Sequence, residues 1–473
     1  MALLPIIVLI TLLGASVWFI EDVLGGAGQL SLLLASAVAM VLAMRKGRTW
    51  YELVDGAMVS ISGALNSIMI LFMIGALAGT WMISGVVPAM VYYGLDLLNP
   101  TIFLFAACLV CSVVSIATGS SWSTIATVGI ALMGIGSALG LGEGLIAGAV
   151  ISGAYFGDKM SPLSDTTNLA PAVAGADLFE HIRYMMWTTF PSIAITLLIF
   201  IGIGIFSDGT SEPADAGEIQ AAISEHFNIS PWLFIVPLAV IVMIMKKVPA
   251  LPALFMASLL GAVFAIIFQP QVIREIGGAD VSYFVAAFKA TYGAITTDVA
   301  VVDSSHEYYK LMKASGMGGM LHTVWLVICA MFFGGVMEAS GALDSIAKSL
   351  MKMASDEASL ISITAFTCVF FNVTASDQYM AIVVPGKMFS KNFDDQGLEP
   401  KVLSRTLEDS GTVTSVLVPW NTCGATQASV LSVAPIVFIP FCFFNIISPL
   451  MTVLHAYIGF KVARKKDSTK VNS

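Results

Sequence analysis

Residues 148–175 read GAVISGAYFGDKMSPLSDTTNLAPAVAG, and this stretch decides how the chain folds. Its flanks are apolar enough to lie in a bilayer, whereas its centre gathers two Asp, one Lys and several hydroxyl side chains around Pro162. A continuous helix would place these groups in hydrocarbon, and Pro162 would remove a backbone hydrogen bond as well. We therefore expect the helix to break here. Broken backbone at membrane depth is tolerated only where protein covers it or a cavity meets it, so the stretch is a candidate binding site.

The composition is that of a polytopic membrane protein. Of the 473 residues, 57% are apolar and 11% are charged, and the mean hydropathy is +0.89. These values exclude an ordinary soluble globule, and the polar tracts between apolar segments are too short for a separate soluble domain. The net charge of −9 comes from acids gathered in a few loops, and no basic stripe indicates nucleic-acid binding.

The second half of the chain resembles the first. Thr118 recurs as Thr374 at a spacing of 256 residues, and Pro162 recurs as Pro419 at a spacing of 257. The polar residues beside these four also correspond in order, over some eighty residues with almost no gap. We therefore predict an internal repeat, which is a common way to build transporters.

Charge indicates how the two repeats are oriented. If segment 101–139 crosses the membrane twice, each half has six spans and the acidic loop 207–228 becomes cytoplasmic. If the segment enters, turns and leaves on one side, each half has about five spans and the halves are inverted. The second topology places nearly all the basic clusters inside, as the positive-inside rule requires. It also puts the acidic loop outside and both termini in the cytoplasm.

The predicted fold is therefore an all-α polytopic membrane protein made of two inverted repeats of about five spans each. The repeats are residues 1–228 and 229–473, with scaffold and transport domains interleaved across both. Each repeat contains a broken helix and a re-entrant hairpin, and the hairpin tips are residues 118–121 and 374–378. In an inverted repeat these four elements meet near the bilayer midplane.

The polar side chains of these elements are nearly all oxygen ligands. Hard cations such as Na⁺ prefer such a set, and no His or Cys grouping suits a transition metal. The candidate ligands, with the residues at the first break ranked highest, are Asp158, Ser164, Asp165, Thr166, Asn168, Ser120, Ser121, Asp377, Asn421 and Thr422. Two secondary candidates are Lys159 and Asp409.

Buried carboxyl groups suggest how transport could be coupled. Such a group can hold a proton or Na⁺ but rarely both, so the two ions compete. If the loaded site can face either side and the empty charged site cannot cross, competition becomes exchange. The transported ions are then Na⁺ and H⁺, and no cofactor is needed.

Several of these residues also have structural explanations that the sequence leaves open. Asp158 and Lys159 could form an ion pair that locks the break. Asp165 could cap the following half-helix, and Asp377 could do the same in its hairpin. Asp409 could face a cytoplasmic vestibule.

The string FGDKMSPLSDTTNLAPAVAGADLFEHIRYMMWT, residues 156–188, resembles the signature segment of the NhaC-type sodium/proton antiporters of the ion-transporter superfamily. The strings TGSSWST and PWNTCGA, at residues 118–124 and 419–425, look like that family as well. The resemblance implies a bacterial inner-membrane antiporter with a scaffold domain, a mobile transport domain and a homodimeric assembly. It also implies that the conserved polar segment of the family matches Asp158, Ser164, Asp165, Thr166 and Asn168.

One departure from the wider superfamily bears on the substrate. Its Ser-Asn-Thr motifs read Ser-Asp-Thr at residues 164–166 and Trp-Asn-Thr at residues 420–422. An Asp in place of Asn favours a site for cations alone over one for a carboxylate substrate.

The chief alternative is a Na⁺/H⁺-coupled exchanger of organic acids, because malate/lactate antiporters resemble the same family. An anionic substrate favours Arg or paired Lys in the core, and only Lys159 qualifies. An intramembrane protease is disfavoured because the residues before Asp158 do not form a Gly-x-Gly-Asp element, and no His is positioned beside Ser120 or Ser121. A plain channel is disfavoured because two inverted halves with broken helices are the architecture of alternating access. We therefore expect a transporter and no enzyme.

Overall fold

The computed structural model describes residues 2–19, 26–97, 99–206, 216–301 and 313–465. These residues are almost entirely helical. The α-helices are α1 Leu4–Phe19, α2 Gly28–Met44, α3 Trp50–Ile83, α4 Val86–Leu97, α5 Pro100–Thr118, α6 Ser121–Thr124, α7 Ile130–Ala138, α8 Glu143–Met160, α9 Asp165–Ala174, α10 Leu178–Phe206, α11 Ala216–His226, α12 Ile235–Met245, α13 Ala250–Phe268, α14 Pro270–Gly277, α15 Tyr283–Thr296, α16 Leu321–Ala339, α17 Ala342–Met351, α18 Glu357–Thr374, α19 Gln378–Asp395, α20 Pro400–Leu407, α21 Thr422–Leu431, α22 Pro435–Phe438 and α23 Phe443–Tyr457.

Short irregular helices and one small sheet complete the described chain. The strands β1 and β2, Val299–Ala300 and Lys313–Ala314, pair antiparallel. The π segments are Ile125–Gly129 and Glu408–Thr412, and the 3-10 segments are Pro231–Phe234, Gly318–Met320, Ser415–Leu417 and Ile439–Phe441.

The helices confirm an all-α polytopic membrane protein. Among the described residues, seven helices are long and apolar enough to cross a bilayer, or nine spans if each of two bent helix pairs is counted as one. Shorter apolar helices, α1, α2 and α23, accompany them. The predicted external loop 207–228 lies partly outside the described residues, which resume at Ala216.

The sequence places one span boundary wrongly. The apolar pattern predicts a span at 62–83, whereas α3 begins at Trp50 and runs for 34 residues. A capping box sets the start, because the Thr49 hydroxyl accepts from the Glu52 backbone N–H and the Glu52 carboxylate accepts from that of Thr49. The first three turns of α3 thus precede the most apolar part of the helix.

The first predicted hairpin turns where expected. α5 ends at Thr118, Gly119 adopts φ +69°, and the helix resumes at Ser121. The left-handed conformation of Gly119 is one that glycine adopts without strain. On the return arm, Gly136 packs against the ring of Phe103, about as far after the turn as Phe103 lies before it. The two arms therefore run antiparallel, side by side.

The second hairpin also returns to its starting side. α18 ends at Thr374 and α19 begins at Gln378. The Arg464 guanidinium makes two 2.7 Å hydrogen bonds with the Glu357 carboxylate at the start of α18, while the Arg464 backbone bridges Leu398, just after α19. One segment of chain therefore holds both ends of this hairpin together. The re-entrant course of the two hairpins within the bilayer stays a prediction.

Helix boundaries repeat along the chain at the spacing that the sequence predicts. α9 and α21 are both ten residues long and begin 257 residues apart, at Asp165 and Thr422. The corresponding helices α3 and α16 run antiparallel, because Gly56 near the start of α3 contacts Ala339 at the end of α16, and Gly75 contacts Met320 just before α16 begins. If the two halves are inverted repeats, α3 and α16 must run antiparallel, as they do here. The inversion of the two halves as a whole stays a prediction.

Close packing of α3 against α15 gives a test of the fold. A side-chain carbon at Gly79 would overlap the carbonyl group of Ala294, whereas one at Gly63 on the same helix would meet open space. We expect Gly79→Ala to cost about 1–3 kcal/mol of stability because the backbones must separate. Melting of the detergent-solubilised protein measures this, with Gly63→Ala as the matched control. Equal melting temperatures for the two variants would contradict the packing of α3 on α15.

Candidate cation site

The first broken helix lies where the sequence predicts it. α8 ends at Met160 and α9 begins at Asp165, with Pro162 in the turn between them. The carbonyl oxygens released at the end of α8 are satisfied locally, because the Thr167 hydroxyl lies 3.2 and 3.0 Å from those of Asp158 and Lys159. The break is therefore a defined structure whose polar backbone is paired.

Asn168 and Ser164 organise the turn itself. The Asn168 amide donates to the carbonyl oxygen of Pro162 at 2.9 Å and to that of Ser164 at 2.6 Å. The Ser164 hydroxyl caps α9 by accepting from the Thr167 N–H. The alternative in which Asp165 caps this half-helix is therefore wrong; Asp165 is the first residue of α9, where its charge favours the positive helix terminus.

Asp158 joins the broken helix to the tip of the first hairpin. Its Oδ2 accepts a hydrogen bond from the Ser121 N–H at 3.0 Å and another from the Ser121 hydroxyl at 2.6 Å. The Asp158 side chain is buried, with 7% of its surface exposed. Two elements predicted to meet thus share one carboxyl group.

In the second half of the chain, a side-chain amide instead of a carboxylate connects the broken helix to the hairpin. Asn421 caps α21 by accepting from the Cys423 N–H at 3.0 Å, and its own amide donates to the carbonyl oxygen of Asn372 at 3.1 Å. The Thr422 N–H donates to the carbonyl oxygen of Ser376, at the tip of the second hairpin, at 3.0 Å. Tip and break are again held to each other.

Two predicted ligands, Asp377 and Ser120, have structural duties. Asp377 caps α19 by accepting from the Met380 N–H at 3.0 Å, which agrees with the structural explanation for this residue. Ser120 caps α6 by accepting from the Ser123 N–H. The two caps stand at corresponding positions, 257 residues apart, so both hairpins restart their second arm in the same way.

A cavity of about 540 Å³ lies among these elements, and both breaks and both hairpins contribute to its wall. The predicted ligands that line it are Ser120, Asp158, Ser164, Asp165, Thr166, Asn168 and Thr422. Asp165 and Asn168 are exposed residues of its wall, whereas Ser121, Asp377 and Asn421 do not line it. Residues that the sequence analysis did not select also line it, namely Asn66, Ser67, Lys247, Gln378 and Tyr379. The two polar residues of α3 could have been found, because they interrupt an apolar span.

Lys159 is paired with Asp409 in the protein interior. Both side chains are fully buried, and the ammonium group contacts the Asp409 carboxylate and the Ser448 hydroxyl. The Thr188 hydroxyl, at 2.8 Å, and the Thr452 hydroxyl donate to the other carboxylate oxygen. Two alternatives are therefore wrong: Lys159 does not pair with its neighbour Asp158, and Asp409 does not face a vestibule. The sequence could not show this pairing, because it joins residues 250 positions apart.

Glu408 belongs to the same buried cluster, and the sequence analysis missed it. Its Oε1 accepts a 3.1 Å hydrogen bond from the Thr166 hydroxyl, while Oε2 makes no hydrogen bond of ordinary geometry. The Thr166 hydroxyl also lies 3.2 Å from that of Ser164, so Glu408 is connected to the cavity wall. Glu408 opens a π segment, a distortion that is frequent at functional sites.

The charges in this cluster do not cancel. Three buried carboxyl groups, those of Asp158, Glu408 and Asp409, outnumber the two buried cations, Lys159 and Arg405, and the Arg405 guanidinium lies over the ring of Tyr184. Unpaired buried charge is expensive, so a proton or a bound cation must neutralise the carboxyl that is left over. Among the residues that the structure describes, no three His, Cys, Asp or Glu side chains group as metal ligands. A cation here would therefore draw on hydroxyl, amide and carbonyl oxygens as well as a carboxylate.

Broken helices around a central cavity that holds buried carboxyl groups are typical of secondary transporters. The profile of the Na⁺/H⁺ antiporter family matches residues 153–460, which is more than half of the chain. The chain therefore belongs to this family, as its motifs predict, and it is a transporter.

Curated relatives cover nearly the whole chain. It is 38% identical over 417 residues to the Na⁺/H⁺ antiporter NhaC of Alkalihalophilus pseudofirmus, covering 88% of this chain and 87% of that protein. It is 36% identical to the arginine/ornithine antiporter ArcD of Halobacterium salinarum, covering 98% of this chain and 93% of that protein. It is 34% identical to the malate-2H⁺/Na⁺-lactate antiporter of Bacillus subtilis, covering 93% of this chain and 91% of that protein.

The buried ion pair can be tested by removing one charge and then both. We expect Asp409→Asn to cost about 3–5 kcal/mol of stability, because Lys159 is left charged without a partner. The double variant Lys159→Gln with Asp409→Asn should recover much of that loss. Melting in detergent measures both.

The matched control is Glu180→Gln, which removes an ion pair with Lys401 at the surface and should leave the melting temperature nearly unchanged. A double variant that melts no higher than Asp409→Asn would show that the charge imbalance is not the cause.

Proposed function

We propose that this protein is a secondary active antiporter that exchanges Na⁺ for H⁺ by competition at buried carboxyl groups. The proposal rests on the position of the Asp158 carboxyl group. Its carboxyl lines the cavity, is nearly excluded from water and accepts two hydrogen bonds from Ser121. Such a group must be neutralised by a proton or by a cation, and the two cannot bind it together.

The remaining ligands would come from the same wall of the cavity. Asp165 supplies a second carboxylate at the start of α9, and the hydroxyls of Ser120 and Ser164 face the same space. The Thr166 hydroxyl donates to Glu408, so it would reach a bound cation only after rearranging. Oxygen donors of this kind suit Na⁺.

Exchange follows if the cavity opens to either side only when its carboxyls are neutralised. A bare carboxylate makes the crossing of the transport domain costly, so Na⁺ leaves when protons replace it. The membrane potential contributes about 2.3 kcal/mol per charge per 100 mV whenever the numbers of exchanged charges differ. No cofactor takes part.

The proposal includes an assembly and a location. The family resemblance implies a bacterial inner membrane, and the topology that places basic clusters inside supports cytoplasmic termini. Arg464, Lys465 and the 397–401 loop, all in the predicted cytoplasmic set, do lie beside one another. We propose a homodimer with interleaved scaffold and transport domains, as the family resemblance implies.

Organic-acid exchange is the second candidate, because one relative is named for malate and lactate and because Lys247 lines the cavity. Lys247 is exposed, between α12 and α13, while the core lysine Lys159 is already neutralised by Asp409. Exchange of arginine, for which another relative is named, would instead use the cavity carboxylates. Dye-reported proton flux in proteoliposomes, started in turn by Na⁺, malate, lactate or arginine, separates these substrates. Flux with malate or arginine and none with Na⁺ would overturn the proposal.

The two cavity carboxylates give a direct test. We expect Asp158→Asn and Asp165→Asn each to reduce Na⁺-started proton movement in everted vesicles to the background of empty vesicles, since an amide neither titrates nor neutralises Na⁺. The control is Asp55→Asn, on the part of α3 away from the cavity, which should keep the wild-type rate. Undiminished exchange in both cavity variants, at equal amounts of folded protein, would remove these residues from the site.

Glu408 is tested by the same substitution at two glutamates. Glu408→Gln should lower Na⁺-started proton movement at least tenfold, because an amide cannot release a proton and take up a cation in its place as a buried carboxyl can. Glu338→Gln, near the end of α16, is the matched control and should transport normally. A wild-type rate in Glu408→Gln would show that this carboxyl has no part in exchange.

A further inference from the structure

A second cavity, of about 220 Å³, lies at the other end of α21. It is bounded by the start of α2, the start of α16 and the C-terminal part of α21. The polar side chains in its wall are Gln29, His322, Thr323, Ser429 and Ser432. Neither the sequence motifs nor the site described above includes any of them.

α21 separates the two cavities. Its first residues, Thr422 and Cys423, line the large cavity, whereas Ala425, Ala428 and Ser429 line the small one. Ten residues of α-helix span about 15 Å, so the cavities are near neighbours. The break that produces α21 therefore gives a short helix with a cavity at each end.

The two cavities also lie at different levels along α2, α3 and α16. The small cavity is at the start of α2 and α16, and the residues that follow the ends of these helices, Lys46 and Ser340, line a separate pocket together. The large cavity includes Asn66, which lies on α3 between the contacts of Gly56 and Gly75 with the two ends of α16. The large cavity thus lies level with the middle of α16, and the small cavity lies at its start.

One buried amide in the wall of this cavity has an unpaired oxygen. Gln29 has 1% of its surface exposed and lines the small cavity, and its Oε1 makes no hydrogen bond. A buried polar group left unpaired costs about 1–3 kcal/mol, so the Gln29 oxygen in the cavity wall points to a polar or cationic occupant that pairs with it.

We propose that the small cavity is the opposite entrance to the exchange site, where an alkali cation is bound in transit by amide and hydroxyl oxygens. This inference rests on the proposed function. Amide and hydroxyl oxygens suit a hard cation, and none of the described residues that line the cavity carries a carboxylate to hold the cation tightly. The site therefore binds weakly and passes the ion on, and α21 is the barrier between it and the large cavity.

Labelling from each face of the membrane tests the two entrances. Single variants of the full chain carry Asn66→Cys in the large cavity or Thr323→Cys in the small one. The six native cysteines are buried free thiols, so the unmodified chain measures the background. We expect a membrane-impermeant maleimide to modify Asn66→Cys from the cytoplasmic face and Thr323→Cys from the opposite face. Modification of both from one face, or no modification of Thr323→Cys from either face, overturns the inference.

A kinetic measurement tests the amide ligand. Gln29→Leu should raise the Na⁺ concentration for half-maximal exchange roughly tenfold when Na⁺ is supplied at the face that labels Thr323→Cys, and leave it unchanged at the other face. Gln271→Leu, an exposed glutamine of α14, is the matched control. An equal change at both faces, or no change, rejects the transit site. Wild-type vesicles without any Na⁺-started flux would instead reject the proposed function, while the labelling result would still stand.

Discussion

The architecture depends on one constraint: polar backbone inside a bilayer must find its partners within the protein. Pro162 and the polar residues around it make a continuous helix untenable, and the structure answers with side chains that replace the lost helical bonds. Thr167 and Asn168 satisfy carbonyl oxygens at the first break, and Asn421 does comparable work at the second. Each break is also fixed to a hairpin tip. The cavity lies between these breaks and hairpin tips.

The same elements also hold the buried charged side chains. The adjacent residues Asp158 and Lys159 point to different partners, Ser121 at the hairpin tip and Asp409 across the interior. The pair of Lys159 with Asp409 holds α8 to the second half of the chain, while Asp158 stays available to the cavity. In the proposed exchange, the fixed ion pair of Lys159 has a structural role, while the neighbouring Asp158 carboxyl binds the transported ions. That separation is what competition between a cation and a proton requires.

Much of the fold and of the candidate site was predictable from local sequence signals. Both breaks and both hairpin tips lie where proline, glycine and polar residues interrupt apolar segments, and a family motif covers the first break. The contacts of Glu408, the partner of Lys159 and the early start of α3 were not predictable in this way. The first two depend on which helix faces meet across the fold, and the third on a capping box outside the apolar run. Asn66 could have been predicted, because a polar residue inside an apolar span indicates a candidate site residue.

The segment that follows α23 holds several helices together. Tyr184 donates to the carbonyl oxygen of Lys461 at 2.5 Å, Ala463 and Lys465 make backbone hydrogen bonds to the loop after α19, and Arg464 holds the start of α18. This segment therefore fastens α10 and both arms of the second hairpin into one unit. If this unit moves against α3 and α16 in the proposed exchange, a fluorophore attached near Lys465 would report the displacement. The carboxyl-terminal region thus offers a handle for following the working cycle without disturbing the cavity.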